Sequence, residues 1–181
     1  MTGRQLRVQL IIVVEGTKNT KTDELYITAT IEHFDCFPHD WKISFVYMNG
    51  KSKYDDKAVQ SKIQKLADSF RHHDKSRESM SFVAYAIDTD SGVESEKLNQ
   101  KIIQYCKGKG HFLIYFAEDV ENVFLGHSVS SGDKGRQALM FYGKPIFNKN
   151  NLKNVSFSYA HGKSNILSIF EIINKETYQN K

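Results

Sequence analysis

Leu10-Ile11-Ile12-Val13-Val14-Glu15-Gly16 and Ser81-Phe82-Val83-Ala84-Tyr85-Ala86-Ile87-Asp88-Thr89-Asp90-Ser91-Gly92 are two apolar runs of strand length, each stopped by carboxylates and then by a glycine. A continuous run of this kind is the pattern of a strand buried on both faces, and its polar end marks a loop where function concentrates. Laid side by side and parallel, the two strands would bring Glu15, Asp88 and Asp90 to one edge of a sheet. Neighbouring strands lie about 4.8 Å apart, so such carboxylates can share one cation. Without a cation the cluster is costly, since two like charges about 4 Å apart repel by roughly 4 kcal/mol at an effective dielectric of about 20. A hard divalent ion, Mg²⁺ or Mn²⁺, is the economical answer.

Outward from these two runs the chain alternates. A first strand, about Arg7 to Val14, leads through the polar loop Thr17 to Thr22 into a helix with Asp23 and Glu24 in its first turn and Thr22 as its expected cap. Lys42 to Met48 reads as a second strand closed by the turn Asn49-Gly50, and Val59, Ile63, Leu66, Ala67 and Phe70 repeat at helical spacing. The basic run Arg71 to Arg77 reads as a solvated loop, its adjacent His72 and His73 lacking a third ligand. The third strand carries the Asp88/Asp90 end. A helix from about Ser95 stops at Gly108 and Gly110, and His111 to Phe116 is a fourth strand. Strand, helix, strand, helix, strand, helix, strand predicts an α/β fold: a mostly parallel four-stranded sheet with helices on both faces, right-handed crossovers and a working edge at the strands' carboxyl ends. Beyond it come a short helix around Val120 to Leu125, another from Lys134 to Tyr142, and a last one from about Gly162 to Ile173.

The 181 residues are of a size for one domain, taken as 1–181 with a core of about 7–127 and a helical extension of about 128–174. No apolar run approaches the ~20 residues that span a bilayer, and Met1 to Leu6 lead straight towards a strand, so a cytoplasmic protein with no membrane partner is expected. Cys36 and Cys106 are too far apart in sequence for a Cys-x-x-Cys zinc site and read as reduced and structural. The net charge of +4 fits a polyanionic partner without demanding one.

A glutamate and glycine after the first apolar strand, with Asp-x-Asp at the end of a later one, resembles the Toprim catalytic fold. Val13-Val14-Glu15-Gly16 with Thr22-Asp23-Glu24-Leu25-Tyr26 resembles the Glu-Gly and Thr-Glu-x-x-Tyr opening of RloB-like proteins, with a longer loop and Asp in place of Glu. Val120-Glu121-Asn122-Val123-Phe124-Leu125-Gly126-His127 is similar to their Phe-Glu-x-Trp-(Leu)-His segment, with the leading Phe and the Trp replaced. The likeness covers roughly the first 130 residues. It implies a Toprim-like, Rossmann-like sheet and a metal-dependent nuclease of DNA or RNA, of the kind associated with phage defence or mobile elements. Glu15 would be general acid/base or metal ligand, Asp88 and Asp90 would hold Mg²⁺ (or Mn²⁺), and Glu121 would be a further ligand or a base that orients water. A partner ATPase or a homodimer would be in keeping with it.

Phosphoryl chemistry needs a hard cation to neutralise charge and activate water, which suits an all-oxygen ligand set. Candidate phosphate and nucleic-acid contacts are Lys18 in the first loop, Lys134 and Arg136 at one helix start, and Lys163 near another. Other readings stay open. Asp88, Asp90 and Glu15 could be solvated or capping residues, Glu121 could serve a helix dipole, and His127 and His161 read as packed or capping side chains. Ala160-His161-Gly162-Lys163-Ser164 lacks the upstream glycine of a phosphate-binding loop. A non-catalytic nucleic-acid-binding or regulatory module is the alternative function. A lesser one is a haloacid-dehalogenase-like phosphatase, whose Asp-x-Asp would sit on the first strand rather than the third.

Overall fold

A computed structural model describes residues 6–154 and 160–179. The reading of Met1 to Gln5 as a direct lead into the first strand lies outside them. Four strands, β1 (Arg7–Val14), β2 (Lys42–Tyr47), β3 (Ser79–Thr89) and β4 (Phe112–Ala117), form one sheet in the order β2-β1-β3-β4. Every pairing is parallel, with Val14 opposite Tyr47 on one side and Ala86 on the other, and Asp88 opposite Phe116. The α/β class read from the alternation is the class observed.

The burial pattern follows from the pleat, which sends successive side chains to opposite faces. Leu10, Ile12 and Val14 with Ala84, Ala86, Ile114 and Phe116 face one layer of helices: α1 (Thr22–His33), α4 (Val120–Leu125), α5 (Lys134–Gly143) and α7 (Ile166–Gln179), the short α6 (Lys149–Leu152) packing beside α7. Ile11 and Val13 with Tyr85 and Ile87 face α2 (Lys57–His73) and α3 (Val93–Lys109) through Val59, Ile63, Ile102 and Cys106. This is why β1 and the inner half of β3 have no polar alternation to read. The exception is Gln9, fully buried, whose amide donates to Ser44 on β2 and accepts from Ser81 on β3.

The strand order sets the location of the site. From β1 the chain turns through α1 to β2, on one side; from β3 it turns through α3 to β4, on the other, and α1 and α3 lie on opposite faces. The loops leaving β1 and β3 therefore part company and open a crevice between adjacent carboxyl ends, the place where open parallel sheets bind ligands.

Some boundaries differ from the sequence reading: the last helix runs on to Gln179 rather than ending at Ile173, and two helix starts differ for a visible reason. Thr22 is the first residue of α1 rather than its cap; the residue before it, Lys21, is left-handed at φ 50° and makes no side-chain capping bond. The last helix begins at Ile166, not Gly162, because residues 163–165 run along the outer edge of β4. Ala117 N–H donates to the Lys163 carbonyl at 2.8 Å, Tyr115 N–H to Asn165 Oδ1 at 2.9 Å, and Asn165 Nδ2 to the Leu113 carbonyl at 2.9 Å. Phe116 and Ser164 form an antiparallel bridge, so the edge strand is covered rather than left open. Among the described residues no helix is long and apolar enough to cross a membrane.

Candidate metal centre at the carboxyl edge

Glu15 is the first residue past β1, and Asp88 sits in the last turn of the β3 pleat beside it. The Asp88 N–H donates to Glu15 Oε1 at 2.8 Å, so the two carboxylate-bearing residues are joined directly. After Glu15 the chain must bend sharply into the loop before α1. Gly16 N–H donates to Asp23 Oδ2 at 2.9 Å, and a Cβ on Gly16 would stand 3.0 Å from that same oxygen. Only glycine lets the start of α1 come this close. Asp23 thus faces Glu15 and Asp88 instead of merely complementing the helix dipole.

The fourth carboxylate comes from beyond β4. Asp119 caps α4, its Oδ1 accepting from the Asn122 N–H at 2.7 Å, and this fixes the first turn so that Glu121 points inward with 0 % exposure. Lys134, at the start of α5, donates to Glu121 Oε2 at 2.8 Å and lies 4.0 Å from Asp119. Glu121 Oε1 has no partner. Glu15, Asp23, Asp88, Glu121 and Lys134 line one cavity of about 270 Å³, together with Gly16, Thr20, Thr22 and Ser131.

Burial dominates the electrostatics. It raises Glu15 to about 7, even though the Lys51 ammonium and the Asp88 N–H pull the other way. Burial, then the negative charges of Glu15, Asp23 and Glu121, push Asp88 well above the usual carboxylate range. Asp23 and Glu121 are also raised by burial, against the Gly16 N–H in one case and the Lys134 ammonium in the other. For Lys134 burial favours the neutral form, but Glu121, Asp119 and Asp88 outweigh it and raise its pKa. The cavity is short of positive charge.

A hard divalent cation fits this deficit. The donor set is entirely oxygen, one buried carboxylate oxygen is orphaned, and the crevice position is that of a ligand site. Among the described residues no three His, Cys, Asp or Glu side chains are already drawn into a ready-made cage. Mg²⁺ does not ask for one: it commonly rests on one or two carboxylates and completes its shell with water and substrate phosphate.

No protein-family model matches the chain, and comparison with curated proteins gives no match. Among solved structures, a de novo designed Rossmann fold protein is similar at 9 % identity and a TM-score of 0.28, over 76 % of this chain and 99 % of the design.

The other residues read from the sequence fall in different places. Asp90 lies beyond the end of β3, more than half exposed, and pairs with Lys51 at 2.9 Å instead of lining the cavity. Arg136 pairs with Asp133 at the surface, and Lys163 donates to Asn151 Oδ1 at 2.8 Å in the strap along β4. Lys18 is exposed on the loop before α1. His161 contacts Glu118 at 3.0 Å, His127 its neighbour's carbonyl, and His72 the carbonyl of Asp68. Both cysteines are free thiols, Cys106 buried and Cys36 partly so.

Sequence reasoning missed Asp23 and Lys51 as site residues. Asp23 was legible as a first-turn acid and as the Asp in place of Glu in the Thr-Glu-x-x-Tyr resemblance, and Lys51 only as one charge in a polar loop. The signal for Lys51 is the turn itself: Gly50 N–H donates to the Glu15 carbonyl at 2.9 Å and Asn49 N–H reaches the Gly16 carbonyl, so the loop after β2 is tied to the end of β1.

Proposed function

We propose that the chain is a metal-dependent phosphodiesterase acting on nucleic acid, a Toprim-like nuclease of the RloB-like kind working in the cytoplasm. The observation that carries this reading is the pairing of Glu15 with Asp88 in a crevice that Asp23, Glu121 and Lys134 also line. Asp88 would hold Mg²⁺ or Mn²⁺, with Glu15 as a second ligand or as the acid/base group, and with Asp23 and Glu121 lining the same cavity. When bound, the ion supplies charge neutralisation at a phosphoryl oxygen and a more acidic water.

The chain's own groups supply the rest. Where the ion rests on Asp88 alone, Glu15, raised by burial to about 7, suits proton transfer at neutral pH. Lys134 lowers the Glu121 pKa against the burial that raises it, and presents a cation beside the cavity where a phosphate would sit. Thr20, Thr22 and Ser131 add hydroxyl side chains to the lining. The excess of basic residues over acidic ones gives a polyanion a favourable long-range field. A partner ATPase or a homodimer is a proposed companion, and phage defence or a mobile element the proposed setting.

The test is cleavage of DNA and of structured RNA by the full chain in Mg²⁺ or Mn²⁺. Cleavage lost in Asp88→Ala supports the reading. No cleavage of either substrate, or cleavage indifferent to Asp88→Ala, removes it. Tight, salt-sensitive binding that ignores both metal and the carboxylates would favour a binding module on the same scaffold.

A further inference from the structure

The sequence places Asp88 and Asp90 two residues apart, the spacing that puts both on one side of a strand and suggests both on one ion. The structure separates them. β3 ends at Thr89, so Asp90 has left the pleat, and its carboxylate lies against Lys51 Nζ at 2.9 Å. Lys51 is only 8 % exposed, and its second acceptor is the main-chain carbonyl of Asp88 at 2.6 Å. A buried ammonium needs such partners, because stripping it of water without them is prohibitive.

The Asp88 peptide is consequently gripped from both sides. Glu15 Oε1 holds its N–H and Lys51 holds its carbonyl, while the Asp88 carboxylate takes no hydrogen bond from any described residue and lines the cavity. One acidic residue of the pair is presented; the other is already neutralised. A second divalent ion placed at Asp90 would meet the Lys51 ammonium, 2.9 Å from that carboxylate, as a like charge.

We propose that the carboxyl edge takes a single divalent cation, and that Lys51 is the positioning residue responsible, fixing the Asp88 peptide while withholding Asp90 from coordination. The inference rests on the divalent-cation reading above. Groups that steer a ligand from behind are commonly worth about 10–100-fold in metal affinity, so the effect is within reach of measurement.

The experiment is a titration of the full chain with Mn²⁺, following free Mn²⁺ by its electron paramagnetic resonance signal. One ion per chain is expected. Asp88→Asn weakens binding by about tenfold or more, while Asp90→Asn stays within about threefold of the parent. Lys51→Met releases Asp90 and raises the stoichiometry from one to two, and Lys51→Arg restores it to one. Two ions on the parent chain, an Asp90→Asn as damaging as Asp88→Asn, or a folded Lys51→Met unchanged in stoichiometry overturns the inference. If Lys51→Met does not fold, the Asp90→Asn comparison decides. No Mn²⁺ bound by the parent chain takes down the cation reading and this inference together; binding that depends on Asp90 takes down only the latter.

Discussion

Glu15 and Asp88, 73 positions apart, are joined by a 2.8 Å hydrogen bond from the Asp88 main chain to a Glu15 carboxylate oxygen. The bond leaves the Asp88 carboxylate free and pins it next to a second acid. Such an arrangement is unfavourable for folding and favourable for binding a cation, and the expected behaviour of variants follows from that opposition.

Asp88→Asn keeps the shape of the side chain and removes a carboxylate whose pKa burial, then its acidic neighbours, push up. At about pH 7.5 without divalent ions it is expected to be more stable than the parent by roughly 1–2 kcal/mol, as substitutions at strained functional sites commonly are. With excess Mg²⁺ the order reverses, because only the parent gains binding energy. Melting temperatures in EDTA and in Mg²⁺ check it; a variant less stable in EDTA counts against the electrostatic account.

The parent's own stability is expected to fall between about pH 5 and pH 7.5 in EDTA. Glu15 keeps its proton in the folded state up to about 7, whereas an unfolded glutamate releases it near pH 4.3. Between those values the folded chain binds more protons, so unfolding free energy declines with rising pH and levels off above the folded value. Glu15 alone accounts for about 3 kcal/mol of decline, and Asp88, Asp23 and Glu121, all raised, act in the same direction. Mg²⁺ should restore the melting temperature at about pH 7.5 and have little effect at about pH 5, since its ligands must be deprotonated.

Lys134→Met leaves Glu121 with no cation in a fully buried position. Breaking one side of such a pair costs about 3–5 kcal/mol when both groups are buried, and Lys134 is one-third exposed, so about 2 kcal/mol is expected. Glu121→Gln in the same chain should recover most of it. A double-mutant cycle by urea unfolding measures the coupling, and additive effects would show the pair to be incidental.

Much of the fold is legible because β1 and β3 are buried on both faces: Leu10 to Val14 and Ala84 to Ile87 have no polar alternation to mislead, and α2 keeps a clear helical period. The meeting of Glu15 and Asp88 was legible for the same reason, as both mark strand ends. Asp23 and Lys51 were not, because their positions depend on close approaches across loops: the Gly16 to Asp23 bond in one case and the Gly50 to Glu15 bond in the other. The late start of α7 was hidden too. Ser164 and Asn165 look like helix-start residues, and nothing local says that they serve the edge of β4.

Asn165→Ala removes both side-chain bonds to that edge, to Tyr115 N–H and the Leu113 carbonyl. The buried Tyr115 amide is left without its partner, at an expected cost of about 1–3 kcal/mol. Hydrogen exchange should show the Tyr115 amide losing protection ahead of those in β1; equal protection of both would mean the strap contributes little.

Gln9 spans β2, β1 and β3 at the opposite end of the strands from the carboxylates, bonded to a serine on each side. The sheet is in effect a cantilever, clamped by neutral side chains at one end and loaded by mutual repulsion at the other. The load rests on the connections that leave Val14 and Thr89, which are braced by the Gly16 to Asp23 and Lys51 to Asp90 contacts rather than by sheet pairing.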